Sequence, residues 1–174
     1  MTCGIHDSNA SLLPHLRTRQ SPFSVVSTGT WVIAMTIGGD ASHLDEDRDT
    51  LVNVNANGDP TPSARFMGGR EFETLLNGTF CPPTVSDREA VLSQSMMLLP
   101  AVASTTGPFK GRTAKWLPHE PHQGSDERSL ATSYYLALMT AECLKLTGHR
   151  GDIVVEGPFA TNQDYLSMLS VATD

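Results

Sequence analysis

The sequence predicts an α/β domain, and three observations carry the prediction. Two β-rich runs, 23–27 and 31–37, flank a Thr-Gly bend. In the last third, Leu130, Tyr134, Ala137, Leu138, Ala141 and Leu144 recur at helical spacing, and the short apolar run "DIVVEG" follows them. A length of 174 residues, 39% hydrophobic and 18% charged, suits one globular domain with a real core.

The elements follow in order. Residues 9–15 read as a helix with Asp7 or Ser8 as its cap, shortened or kinked by Pro14. "TRQSP" is a turn, and the two β-rich runs then form a hairpin. "DASHLDEDRDT" is an acidic surface loop. "LVNVNANGD" alternates as a strand and ends on the tight-turn pair Asn57-Gly58, which makes three strands at the front. "FMGGREFETLLNG" is a glycine pair opening a short helix with Phe72, Leu75 and Leu76 on one side. "SDREAVLSQSMMLLPAVA" reads as a helix capped by Ser86 or Asp87 and ended before Pro100. The Gly- and Pro-rich "STTGPFKGRTAKWLPHEPHQG" reads as a long surface loop. Ser125 or Asp126 starts the long periodic helix and Gly148 closes it. A last helix, "NQDYLSMLS", puts Tyr165, Leu166 and Leu169 on one face.

Charge and cysteine content narrow the function classes. A net charge of −7 argues against a nucleic-acid surface, which needs a basic stripe. It leaves nucleotides open, because backbone N–H groups and a metal ion can hold phosphates. Cys3, Cys81 and Cys143 have no metal-ligand spacing and read as free thiols in a reducing compartment. No secretory signal and no membrane-length apolar run is visible, so the cytoplasm is expected.

Three short stretches carry candidate chemistry. In "CGIHDSNA", Asp7 follows a glycine turn, beside His6, at the head of a helical run. It is either a general base or an ordinary helix cap. "STGTW" sets hydroxyls around one glycine, at Thr28, Gly29 and Thr30. It is either a phosphate cradle, whose donors converge without importing charge, or a β-turn satisfying its own backbone. "VVEGPFATN" runs from a strand through Gly157 to a helix start at Asn162. That junction is a common place for a nucleotide and also a common loop. No P-loop, GxGxxG or G-x-S-x-G pattern occurs, and no His, Cys, Asp and Glu residues cluster at metal-ligand spacing.

In this order, on a β-β-β … α-β-α frame, the sequence resembles the C-terminal domain of the FGGY carbohydrate kinases. The resemblance implies a ribonuclease H-like lobe of the actin/hexokinase ATPase superfamily, a mixed β-sheet flanked by helices. "GIHDSNA" is similar to the family's G-x-x-D-x-x-A turn at Gly4, Asp7 and Ala10, which implies Asp7 as the catalytic base. The His-Asp pair resembles the rhamnulokinase- and fuculokinase-like branches and implies that His6 and Asp7 contact the sugar. "STGTW" is similar to the second phosphate hairpin, implying ATP contacts from Thr28, Gly29 and Thr30. "VVEGPFATN" resembles the adenine-side loop at Gly157 and Asn162, with Pro158 and Phe159 standing where the family has further glycines.

The activity implied is ATP-dependent phosphorylation of a sugar or polyol hydroxyl, with Mg²⁺ held mainly through an N-terminal lobe. The chain is then expected to be one domain, 1–174, of a longer protein, lacking that lobe and the family's closing T-G-T-x-x-G-A segment. The isolated lobe is expected to be inactive, and its exposed apolar cleft wall to favour a homodimer. The rival from another class is a non-catalytic nucleotide-binding or interaction module on the same fold. A small unrelated hydrolase lacks a recognisable nucleophile.

Overall fold

Valine, isoleucine and threonine crowd the two runs around the Thr-Gly bend, and β-branched side chains pack well on a pleated surface. In the computed structural model, which describes residues 7–174 and their side chains from Asn9 onward, these runs are β1 (Phe23–Thr28) and β2 (Val32–Ile37). They pair antiparallel from Phe23↔Ile37 to Thr28↔Val32, leaving Gly29, Thr30 and Trp31 as the hairpin loop. Further along come β3 (Thr50–Val54), β4 (Pro60–Phe66) and β7 (Asp152–Glu156). The five strands form one sheet in the order β3-β4-β2-β1-β7. The sheet is mixed, since β7 runs parallel to β1 while the other pairs are antiparallel.

The front of the chain therefore holds a fourth strand, β4, in a stretch to which the sequence reading assigns no element. Its prolines conceal it. Pro60 and Pro62 pair only with β3, while β2 bonds to β4 from Ser63 to Phe66. The missing N–H groups thus lie beyond Met35↔Ser63, the last β2–β4 pair, where no ladder bond to β2 is asked of them, a place in a sheet that tolerates proline.

Helix α1 (Asp7–Thr18) extends beyond the expected 9–15 and passes through Pro14. The proline removes one backbone bond, but the carbonyl it would have served belongs to exposed Ala10 and can reach water. Burial of Leu12, with no exposed surface, against Phe23, Val25, Met35 and Ile37 holds the helix down on one face of the sheet. That side chain alone stabilises by roughly 1.5–3 kcal/mol.

The opposite face carries α2 (Gly68–Leu76), α3 (Val85–Ser93), α4 (Asp126–Leu146) and α5 (Gln163–Thr173). α3 is capped by Thr84 in a reciprocal capping box with Asp87, two residues before the first expected cap, Ser86. After α3 the chain forms a small two-stranded sheet, β5 (Met97–Leu99) with β6 (Lys115–Leu117), inside what reads from sequence as helix end and loop. α4 is capped by Ser125, and Gly148, with φ of +65°, closes it in a left-handed conformation. Because α4 lies between the sheet, α5 and α3, it is buried on most sides. Tyr135, Leu136, Met139 and Cys143 join Leu130, Ala137 and Leu144 in the core, while Leu138 stays 50% exposed. Burial pushes the Cys143 thiol well above the usual range.

One acid is buried beneath this layer. Glu71, 1% exposed in the first turn of α2, accepts hydrogen bonds from the Tyr135 hydroxyl (2.8 Å) and the Ala103 N–H (3.1 Å). Burial dominates and raises its pKa above the ordinary value of 4.5. The protonated form is the one the fold favours, so its stabilisation is complete below the unfolded value and lost as pH rises through the folded value. Glu71→Gln keeps both partners without the charge. Urea unfolding at pH 4.5 and pH 7 is expected to show the variant gaining stability relative to the parent as pH rises. An equal difference at both pH values would remove Glu71 as the cause.

Candidate functional site

The β1–β2 loop and the start of α2 meet directly. A Cβ on Gly69 would strike the Gly29 carbonyl oxygen, so only glycine permits this approach. Inside the loop, the Gly29 N–H is engaged by the Trp31 carbonyl at 2.9 Å. The Arg70 N–H reaches the Thr30 carbonyl at 3.4 Å. Met67 provides no side-chain cap for α2. The first N–H groups of the helix therefore lie beside the hairpin without a side-chain partner, as at any uncapped helix start. The exposed Thr30 hydroxyl has no hydrogen-bond partner among the described residues.

Thr28 behaves differently. Its hydroxyl donates to the Glu156 carbonyl at 2.5 Å and accepts the Phe159 N–H at 3.1 Å. The side chain thus fastens the chain leaving β7 to the end of β1 and turns inward, 6% exposed. Gly157 follows at φ +84° and ψ −163°, a region open essentially to glycine, with its missing Cβ directed at the Thr28 carbonyl. A short 3₁₀ turn (Pro158–Thr161) leads to Asn162, the cap of α5. Asn162 accepts the Tyr165 N–H at 3.0 Å and donates to the Ser133 hydroxyl at 3.0 Å.

These segments enclose a cleft of about 680 Å³. Gly29, Thr30, Gly69 and Arg70 line it, together with Pro158, Asn162 and Asp164. Its apolar wall is formed by Phe80, Phe72 and Phe159, with ring centroids 6.0 Å apart for Phe80–Phe72 and 5.5 Å for Phe72–Phe159, and buried Tyr165 packs behind Phe159 at 5.2 Å. At the α5 end, Arg88 makes a two-point ion pair with Asp164, at 2.6 and 3.1 Å, joining α3 to α5. Such an opening, with an apolar wall, aligned amides and few charges, suits a planar base carrying phosphates.

Of the residues singled out by sequence, Gly29, Thr30 and Asn162 line this cleft, and Thr28 and Gly157 brace its floor. Asp7 is the first residue of α1. Its side chain and the whole of His6 and Gly4 lie outside the described residues. Sequence reasoning overlooked the α2 start and the aromatic wall. The available signal was "FMGGRE", a glycine pair opening a helix directly after a strand. Among the described residues no group of three or more His, Cys, Asp or Glu side chains is placed to hold a metal ion, and no helix is long and apolar enough to cross a membrane.

Comparison with known proteins gives the following. The family described as "Carbohydrate kinase FGGY, C-terminal domain" matches residues 20–174. A carbohydrate kinase from Novosphingobium aromaticivorans superposes with a TM-score of 0.84 at 38% identity, covering 97% of this chain and 39% of that one. A xylulose kinase from Bifidobacterium adolescentis (TM-score 0.58, 16% identity, 84% of this chain, 31% of that one) shares the fold. So does a Plasmodium falciparum glycerol kinase solved with ADP (0.57, 12%, 84% and 33%). The chain thus spans about two-fifths or less of these structures' lengths. A search of curated proteins gave no match.

Proposed function

The chain belongs to the C-terminal domain family of the FGGY carbohydrate kinases, and from that premise we propose that it is the nucleotide-side lobe of an ATP-dependent sugar or polyol kinase. The observation that carries the reading is the cleft, where Thr30, the α2 start and the loop after β7 converge beside an aromatic wall. An N-terminal lobe completes the site.

The adenosine lies against the Phe72, Phe80 and Phe159 side of the cleft, near Asn162. The polyphosphate runs toward Thr30 and the first amides of α2, where the helix dipole favours negative charge. Thr28, its hydroxyl already engaged, acts by holding the Gly157 loop rather than by touching phosphate. Asp7, at the head of α1, accepts the proton of the acceptor hydroxyl as that oxygen bonds to the γ-phosphorus. The bond to the β-phosphate oxygen breaks and ADP leaves. Closure of two lobes excludes water from this transfer. A Mg²⁺ ion, as the family likeness implies, would enter with the nucleotide and be held mainly through the other lobe, where it would neutralise charge on the transferring phosphoryl group. The free thiols Cys81 and Cys143 support a reducing compartment such as the cytoplasm.

Calorimetric titration of the chain with ATP and with adenosine is expected to show ATP binding tighter. Thr30→Ala should remove most of that difference, a loss of about tenfold, the size of one charge-assisted hydrogen bond. Absence of saturable ATP binding would refute the nucleotide reading.

A further inference from the structure

Helix α1 and the loop after β7 lie on the two sides of the proposed reaction, and one side-chain pair joins them. Alternate residues along a strand share a face. Val154 packs in the cluster under α1, so Asp152 and Glu156 of β7 face that helix too. His15, in the second half of α1, has its Nε2 2.7 Å from the Glu156 carboxylate. A ring nitrogen this close to a carboxylate oxygen carries its proton and donates, whether the ring is neutral or charged. The two side chains are only 16% and 34% exposed. Just beyond α1, Arg19 reaches Asp152 at 3.4 Å, but there the exposures are 39% and 81%. So open an ion pair fixes little.

Glu156 is itself held by backbone. Its carbonyl accepts the Thr28 hydroxyl, it pairs with Ser27 in the β1–β7 ladder, and Gly157 follows it directly. Its carboxylate therefore grips α1 at the residue from which the nucleotide-side loop departs. Asp7 heads α1, about 12 Å along the axis from His15 at about 1.5 Å per residue. Between them Leu12 seats the helix on the sheet, but apolar burial is non-directional and leaves the tilt free. Pro14 removes one backbone bond between the two halves, which loosens the head further. A directional bond at His15 supplies what burial does not. A tilt of about 5° there carries the head by about 1 Å, and a shift of that size can cost about 10²-fold in rate.

We propose that Glu156 and His15 are positioning residues: through their hydrogen bond the Gly157 loop sets the tilt of α1, and nucleotide binding at that loop is felt at the helix head. The role rests on the kinase reading, in which Asp7 takes the proton and the loop after β7 holds the nucleotide. Neither side chain touches a substrate. His15 acts on the reacting end only through α1, and Glu156 only through His15. A loop settled by nucleotide thereby settles the helix head, whereas an empty loop lets both shift.

The test is NMR of the isotope-labelled chain titrated with ADP, which has no γ-phosphate to contact α1 directly. Saturable shifts are expected at the amides of Thr30 and Asn162 in the cleft, and also at Ser8, Asn9 and Ala10 on α1. His15→Ala should lose the α1 shifts and keep the cleft shifts, with a Kd for ADP within about twofold of the parent. Residual dipolar couplings should show its α1 axis turned against the sheet by about 5° or more. His15→Gln, which still donates from a side-chain amide, should restore both. Arg19→Ala is the control and should leave both unchanged. α1 shifts absent from the parent, α1 shifts surviving in His15→Ala, or an unmoved helix in that variant would each overturn the role while leaving the cleft assignment intact. Loss of the α1 shifts in Arg19→Ala as well would also overturn it, since general loosening of the helix would then suffice. No cleft shift with ADP would remove the nucleotide assignment and, with it, the role that rests on it.

Discussion

Asp7→Asn is expected to abolish phosphoryl transfer in the complete two-lobed enzyme, lowering kcat by about 10²–10⁴-fold, the range lost with a general base. The KM for ATP should stay within a few-fold, because the proposed nucleotide contacts lie on the hairpin, the α2 start and the loop after β7. The choice of asparagine matters. In the first turn of α1 it keeps the size and polarity of aspartate and loses only a charge worth about 0.3–1 kcal/mol, so α1 should form with Tm within a few degrees of the parent. A coupled ADP-release assay run beside a thermal unfolding scan makes the distinction. Lost turnover at constant Tm assigns the carboxylate to proton transfer. Turnover retained near the parent level would leave Asp7 as a helix-start residue and nothing more.

The second large effect belongs to Gly157. Its φ of +84° with ψ of −163° is a conformation that costs any other residue about 1–3 kcal/mol. A methyl group there would also press on the Thr28 carbonyl and sit 2.8 Å from the Thr28 hydroxyl. Neither atom can withdraw cheaply, since one is backbone and the other is fixed between Glu156 and Phe159. Gly157→Ala is therefore expected to lower Tm by roughly 4–12 °C for a domain of this size. It should also weaken ATP by at least about tenfold as the loop lifts from β1. Calorimetry and titration of one sample check both. An unchanged Tm would mean that the loop relocates freely, and Gly157 would lose its assigned role.

How much of this was legible in the sequence depended on whether local and tertiary preferences agreed. β1, β2, β3, β7 and the long helix α4 declare themselves through β-branched runs or helical periodicity. β4 did not, because its two prolines speak against a strand until it is known that the β2–β4 ladder stops short of them, at Met35↔Ser63. Likewise β5 and β6, three residues each, are too short for any period to show. On α4 the periodic stripe placed Leu138 inward, yet it is exposed, and burial from three sides adds Tyr135, Leu136 and Met139 to Leu130, Ala137 and Leu144 in the core. Within the candidate site, glycines and hydroxyls at turns were readable because their chemistry is local. The aromatic wall was not, since Phe72, Phe80 and Phe159 come together only through the packing of α2, the segment after it and the turn leading into α5.

The contact between Thr28 and Glu156 has a kinetic consequence. It joins positions 128 residues apart, and the parallel β1–β7 ladder depends on the same closure. The hairpin, β3, β4 and the helices between them form through nearer neighbours, whereas this ladder must wait for most of the chain to be in place. Closing so long a segment costs little additional free energy, because the entropy grows only logarithmically, but such non-local pairing is slow to find. Since Gly157 and Asn162 reach the cleft only after that closure, a nucleotide would recognise the chain at the end of folding and would stabilise it there in proportion to its concentration. Ligand binding during refolding would thus time the arrival of β7.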